Sequence, residues 1–227
     1  MARCLRMFLL ISLSMFFSCV SPDNTGTGDY INTPGARIHY LTSGKGTPLM
    51  IFHGSGTDGC APLMDAYAKS GLKARLISFD KRGAGLSKSC VDSKNISGDN
   101  IRDAEELRMK LGIRKVNVLG HSTGCSDALE YARLYPENCG AVILVYPEKA
   151  ISESADPVFS AGAREVTMPV LITAGGDEKE VLKLHDNLPN SILIIYGRDS
   201  GPVYPGKGTD FFGDIARFLN IYAADDN

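Results

Sequence analysis

Net charge is nearly absent from this sequence: 24 Lys and Arg stand against 26 Asp and Glu, a formal −2 at neutral pH. Nucleic acid and acidic surfaces are therefore not expected as partners. No apolar run approaches the ~20 residues that a bilayer-spanning helix needs. Met7–Phe17, at eleven residues, falls well short. Cys and His show no zinc-type spacing, and no internal repeat or inner linker breaks the chain. Neither a metal nor a cofactor is expected. Histidine is scarce, with four in all: His39, His53, His121 and His185. What is present is 227 residues of 44% hydrophobic content, enough for one domain with a sizeable core and not comfortably for two.

The N-terminus stands apart from that domain. Arg3 and Arg6 precede the apolar run Met7–Phe17, a charged n-region followed by a short h-region as in a secretory signal. Phe16-Phe17-Ser18-Cys19 resembles a bacterial lipobox, which implies removal of residues 1–18 and a lipid on Cys19. Residues 19–29 include SPDNTGTGD, a small, polar, turn-rich tether. The globular domain is then expected over 30–222. The predicted location is the cell envelope, exported and lipid-anchored, with a secreted or periplasmic protein and an uncleaved anchor as the alternatives.

Within the domain, short apolar runs alternate with helical patterns. Ala36–Leu41, Leu49–Phe52, Ala74–Phe79, Val116–Leu119, Ala141–Tyr146, Pro169–Ala174 and Ser191–Tyr196 read as strands. Pro62–Lys69, Asp99–Leu111, Cys125–Leu134, Glu178–Asn187 and Thr209–Leu219 read as helices. Ile101, Ala104, Leu107 and Leu111 recur at helical spacing and mark a core-facing side. Such alternation implies an α/β fold, a mostly parallel sheet with helices on both faces. Only about two dozen residues separate the strands near Tyr146 and Val170, which leaves little or no room for a lid domain.

Of six cysteines, Cys4 is in the removed segment and Cys19 would carry lipid. Cys125 and Cys139 sit at the two ends of one helix, roughly 20 Å apart and beyond bridging. Cys60 and Cys90 follow loops that leave the same edge of the sheet, so a disulfide between them is expected in an exported protein.

The chemistry concentrates in Val116–Ala128, where an apolar strand runs straight into Gly120-His121-Ser122-Thr123-Gly124 and then a helix. A serine on so sharp a strand-to-helix corner has its hydroxyl exposed, and the glycines allow close backbone approach. The helix N-terminus offers N–H groups to a developing oxyanion. With His53-Gly54 closing one strand, Asp80-Lys81-Arg82-Gly83-Ala84-Gly85-Leu86-Ser87 after the next, and Tyr135-Pro136-Glu137 ending the helix after the elbow, the chain resembles the α/β-hydrolase family from about Arg37 to Leu219.

That resemblance implies an α/β-hydrolase fold and a nucleophile at Ser122. It also implies oxyanion donors from the N–H groups of Ser55 and Thr123, and an acid at Asp177 in Gly175-Gly176-Asp177, with Glu148 as the alternative acid. It gives structural roles to His53, which holds the oxyanion loop, and to Arg82, which latches the glycine turn. The family's histidine belongs between the last strand and the last helix. Residues 196–205 contain none, and the position falls near Ser200. A serine cannot take a proton at neutral pH as imidazole does. His185, late in the helix after Asp177, reaches Ser122 only if that helix end is rearranged. Two functions follow: an envelope-anchored serine hydrolase acting on a small-molecule ester or acyl compound, or a catalytically weakened hydrolase fold that binds a small ligand or partner. A third is a surface protein that uses the fold as a scaffold.

Overall fold

The computed structural model of the 227-residue chain describes residues 27–89, 96–153, 162–175, 179–196 and 210–223. Residues 1–18, Cys19, Cys90, Asp177 and Ser200, to which the sequence assigns roles, lie outside these residues. The first described element, β1 (Thr27–Thr33), starts before the expected boundary at residue 30, because Thr27–Asp29 pair with β2 (Ala36–Ser43). Pro34 and Gly35 turn the hairpin, Gly35 at φ +78°, as a two-residue turn with proline first and glycine second allows.

Then come β3 (Pro48–Phe52), α1 (Ala61–Lys69), β4 (Arg75–Phe79), β5 (Lys88–Ser89) and α2 (Ile96–Lys110). They are followed by β6 (Val116–His121), α3 (Gly124–Leu134), β7 (Cys139–Val145) and α4 (Glu148–Glu153). The chain closes with β8 (Val170–Ala174), α5 (Lys179–Asn187), β9 (Ser191–Ile195) and α6 (Phe211–Tyr222). The strands form one sheet in the order β1-β2-β4-β3-β6-β7-β8-β9, with the two-residue β5 beside β2. From β4 to β9 the main ladder is parallel; β1, β2 and β5 are the antiparallel part. This is the α/β-hydrolase architecture. Between β7 and β8 the described residues carry only α4 and a 3-10 turn, Gly162–Glu165, and no lid domain is found among them.

Strand alternation sorts the core onto two faces. Leu49 and Ile51 of β3 pack with Leu63, Met64 and Tyr67 of α1 and with Ile215 and Phe218 of α6. Met50 and Phe52 point the other way, against Ile101, Ala104 and Leu107 of α2 and Ala128 and Leu129 of α3. Each Leu, Ile, Met or Phe side chain so enclosed contributes about 1.5–3 kcal/mol by leaving water. Because β3 is buried on both faces, every residue of it is apolar.

The chain runs from β3 outward to β4, then returns to place β6 on β3's other side. Crevices form where strand order reverses in this way. The register Phe52↔Gly120 sets the loop after β3 beside the loop after β6.

Candidate active site

At the end of β6, Ser122 is forced to φ +55°, one of two non-glycine residues with positive φ in the described chain. Such a conformation costs of order 1–3 kcal/mol and persists only where the surroundings over-determine it. They do so here. Ser122 N–H donates to Val145 O at 2.8 Å, and Cys125 N–H donates to Ser122 O at 3.0 Å. The flanking glycines are needed for approach. A Cβ on Gly120 would lie 2.5 Å from Cys125 Cα, and one on Gly124 would lie 2.2 Å from Phe52 O. The Ser122 hydroxyl hydrogen-bonds to no described group.

Ser122 opens on a cavity of about 340 Å³. Its other walls are His53–Gly56 and Asp58–Gly59 from the loop after β3, Pro62, Leu63 and Ala66 from α1, and His121. The pocket is thus apolar on the α1 side, and Asp58 also lines it.

The loop after β3 is tied in three ways. His53 Nδ1–H donates to Gly54 O at 2.8 Å, while His53 Nε2 accepts Lys81 N–H at 3.2 Å. Both ring nitrogens are used, which gives His53 the structural role expected of it. Burial, and then the neighbouring Lys81 ammonium, hold its pKa below the ordinary histidine value. Ser55 N–H donates to Thr123 Oγ1 at 2.5 Å, and Lys149 Nζ from α4 donates to Ser55 Oγ at 3.3 Å. The two residues expected at the oxyanion hole are therefore brought together, through the threonine side chain as well as the backbone. A Cβ on Gly54 would lie 3.4 Å from Ser122 Cβ, so this loop and the elbow are in contact.

The other sequence candidates are placed as follows. His185 Nδ1–H donates to Ser191 Oγ at 2.7 Å, and Ser191 opens β9. That is the N-terminal end of a parallel strand, one strand length, roughly 16 Å, below the edge where Ser122 sits. His185 is not a base for Ser122; a short α5 that leads directly into β9 keeps it at the opposite end of the sheet. His39 faces Asp80 at 2.9 Å. His121 shares the cavity wall and sets its ring across Tyr146. None of the four histidines hydrogen-bonds the Ser122 hydroxyl. Glu148 accepts Gly175 N–H at 3.0 Å and so ties the start of α4 to the end of β8. Arg82 is the expected latch, bonding Asp103, Asp99 and Pro34 O.

Cys60 is a free thiol in this structure and is fully buried. The expected partner, Cys90, lies outside the described residues. The Cys60 backbone N–H donates to Asp80 Oδ1 at 2.6 Å, which fixes Cys60 as the residue before α1. Burial, followed by the Asp80 charge, raises the thiol pKa far above the ordinary value. His39, Cys60 and Asp80 bring one ligand atom each within 4.8 Å of one another. Asp80, however, already accepts from Cys60 N–H, His39 and Leu86 N–H. With its carboxylate so engaged, Asp80 works as the centre of a hydrogen-bonded latch.

Two site residues escaped the sequence reading. Asp58, in the Gly54–Gly59 loop, carried the signal of a carboxylate five residues after the strand-ending His53. Lys149 carried no motif of its own; its helix α4 is a small helix of the kind for which the short stretch between β7 and β8 has room.

Residues 47–167 match the family model described as alpha/beta hydrolase fold. A proline iminopeptidase of Xylella fastidiosa is 36% identical over 111 residues, which is 48% of this chain and 35% of that protein. A 2-hydroxy-6-oxononadienedioate/2-hydroxy-6-oxononatrienedioate hydrolase of Paraburkholderia phymatum is 32% identical over 136 residues, 56% of this chain and 46% of that one. The chain spans from about a third to under half of the length of these curated relatives. Among solved structures, naproxen esterase from Bacillus subtilis superposes with a TM-score of 0.70 at 15% identity, covering 86% of this chain and 92% of the esterase.

Proposed function

The chain belongs to the alpha/beta hydrolase fold family, and on that premise we propose that it is a serine hydrolase of low turnover acting on small ester or acyl compounds. The observation that carries this reading is Ser122: strained to φ +55° at a strand-to-helix corner, its hydroxyl unbonded to described groups, at the wall of a 340 Å³ cavity. Strain held at one serine in a crevice is the signature of a nucleophile. Ser122 Oγ attacks the acyl carbon, and the carbonyl oxygen takes up charge beside Ser55 and Thr123. Asp177 is the proposed acid and Ser200 the residue at the base position. In the absence of imidazole the Ser122 proton passes to water in the open pocket. Loss of a triad member typically costs ~10⁴–10⁶ in kcat, with ~10³–10⁴ over water left to the oxyanion hole and binding. Low turnover follows.

The engagement of His39, His53 and His185 elsewhere favours a second reading, a hydrolase fold that binds a small ligand without turning it over. Labelling with a fluorophosphonate probe separates the two. Ser122-dependent labelling supports the hydrolase. No labelling, with small esters or amides still raising the melting temperature, supports the binder.

The envelope location is proposed on Arg3, Arg6, Met7–Phe17 and Ser18-Cys19: the chain is exported and held to a membrane by lipid on Cys19. Among the described residues no helix is long and apolar enough to cross a membrane. Mass spectrometry of the native envelope protein should find a lipid-modified Cys19 at the new N-terminus; an unmodified Cys19 would reject the anchor.

A further inference from the structure

We propose that the loop-side oxyanion donor of this site is the Thr123 hydroxyl and not the Ser55 N–H. The inference rests on the hydrolase reading of Ser122 and assigns a catalytic side chain to a residue whose backbone alone was expected to act.

Thr123 stands at the N-cap of α3. A threonine there ordinarily turns its hydroxyl back to accept an N–H of the first helical turn. Here it makes no such capping bond. It reaches across to the neighbouring loop and accepts Ser55 N–H at 2.5 Å. The Ser55 N–H is thereby occupied. The Ser55 hydroxyl in turn accepts from Lys149 Nζ at 3.3 Å.

A hydroxyl that accepts one hydrogen bond still has its own proton to give. Thr123 Oγ1 has no acceptor for that proton among the described residues. Gly54 fixes where the hydroxyl sits: a Cβ built there would meet Ser122 Cβ at 3.4 Å and Thr123 Oγ1 at 3.6 Å, so both border the same small space. The donated Ser55 N–H also polarises the O–H, and chains of hydrogen bonds strengthen one another in this way. One residue then presents two donors, its backbone N–H at the start of α3 and its side-chain O–H. As the Ser122 Oγ–C bond forms, the carbonyl π pair moves to oxygen and is held by these two donors. The serine proton leaves to water. Collapse restores the carbonyl and expels the alcohol oxygen, which takes a proton from water.

The test compares Thr123→Val, which keeps the shape and loses the hydroxyl, with Thr123→Ser, which keeps the hydroxyl; Thr123→Ala repeats the deletion should valine disturb the corner. Two readouts are taken: the rate of fluorophosphonate labelling at Ser122, and the rise in melting temperature with methylphosphonate, a tetrahedral oxyanion that forms no bond to serine. Removing one oxyanion donor typically costs ~10²–10³ in rate. Thr123→Val and Thr123→Ala are expected to lose at least ~10² in labelling rate and the methylphosphonate shift, while Thr123→Ser keeps most of both. Ser122-dependent labelling that is unchanged or faster in Thr123→Val would overturn the inference and leave the hydrolase reading standing, because the released Ser55 N–H would then be the donor. Methylphosphonate binding that needs the Thr123 hydroxyl, in a protein whose Ser122 is never labelled, would keep the donor and remove the hydrolase reading. Neither labelling nor binding would overturn both.

Discussion

Two strand ends flank β3 on the same edge of the sheet, and they are built on opposite rules. At the end of β4, Asp80 is saturated. Cys60 N–H reaches one carboxylate oxygen, while His39 Nδ1 and Leu86 N–H reach the other. Its backbone oxygen accepts from Ser87 Oγ, which itself accepts His39 N–H. Gly59 at φ +74° and Gly85 at φ +50° close over it so tightly that a Cβ on either would collide with the carboxylate. Burial alone would raise the Asp80 pKa; the N–H groups of Leu86 and Cys60, the Cys60 thiol and His39 outweigh it and hold the carboxyl below the usual range. At the end of β6 the backbone of Ser122 is just as firmly held, yet its hydroxyl is given no partner by the described residues. Satisfying every polar atom makes an anchor. Fixing the backbone and leaving one polar atom over makes a reactive group.

The largest expected contrast is in stability. Asp80→Ala leaves His39 and two backbone N–H groups without their acceptor in a buried site and should cost about 3–5 kcal/mol in urea unfolding. Ser122→Ala should change stability by less than about 1 kcal/mol. Equal losses would erase the distinction between anchor and reactive group.

Next is a gain of function. Ser200→His supplies imidazole where the family carries it and should raise p-nitrophenyl acetate hydrolysis at least ~10²-fold, the range of general-base catalysis. The gain should vanish with Ser122→Ala. A folded variant with no gain would mean that residue 200 does not face Ser122, or that Asp177 does not serve as the acid.

The smallest effect is a pH dependence that separates His53 from Asp80. The folded His53 pKa lies below the unfolded value of about 6.5. As pH falls through about 6.5 the unfolded chain takes up the proton first, so stability declines from there down to the folded pKa. Asp80, depressed below the ordinary carboxylate value, keeps its contribution until more acid conditions and loses it only as pH falls through its folded pKa. The melting temperature should therefore begin to drop below about pH 6.5, and His53→Gln should flatten that first limb without moving the second. A first limb unchanged in His53→Gln would assign it to another group.

Much of this was legible because local pattern and tertiary need agree. The run Val116–Leu119 followed by Gly120–Gly124 demands a strand and a sharp corner, and Phe52 O pressed against Gly124 explains the second glycine. His53 and Arg82 were legible as supports. The misses have physical causes. β1 is polar along most of its length, because it covers an edge, and so resembles a tether. His185 was placed by helix position alone, and its bond to Ser191 depends on the turn into β9. The Thr123–Ser55 bond joins residues 68 apart in sequence, and a threonine at an N-cap gives no sign that it will look outward.

The central claim is a built nucleophile without an imidazole base, and the pH profile of Ser122 acylation tests it most directly. The rate of fluorophosphonate labelling, read by intact mass from about pH 6 to about pH 9, should climb with hydroxide at close to tenfold per unit and show no plateau near the imidazole pKa. Ser122→Ala should abolish it throughout. A profile that levels off above about pH 7, and loses that plateau when one of the four histidines is replaced, would show that a histidine serves Ser122 after all and would contradict the account.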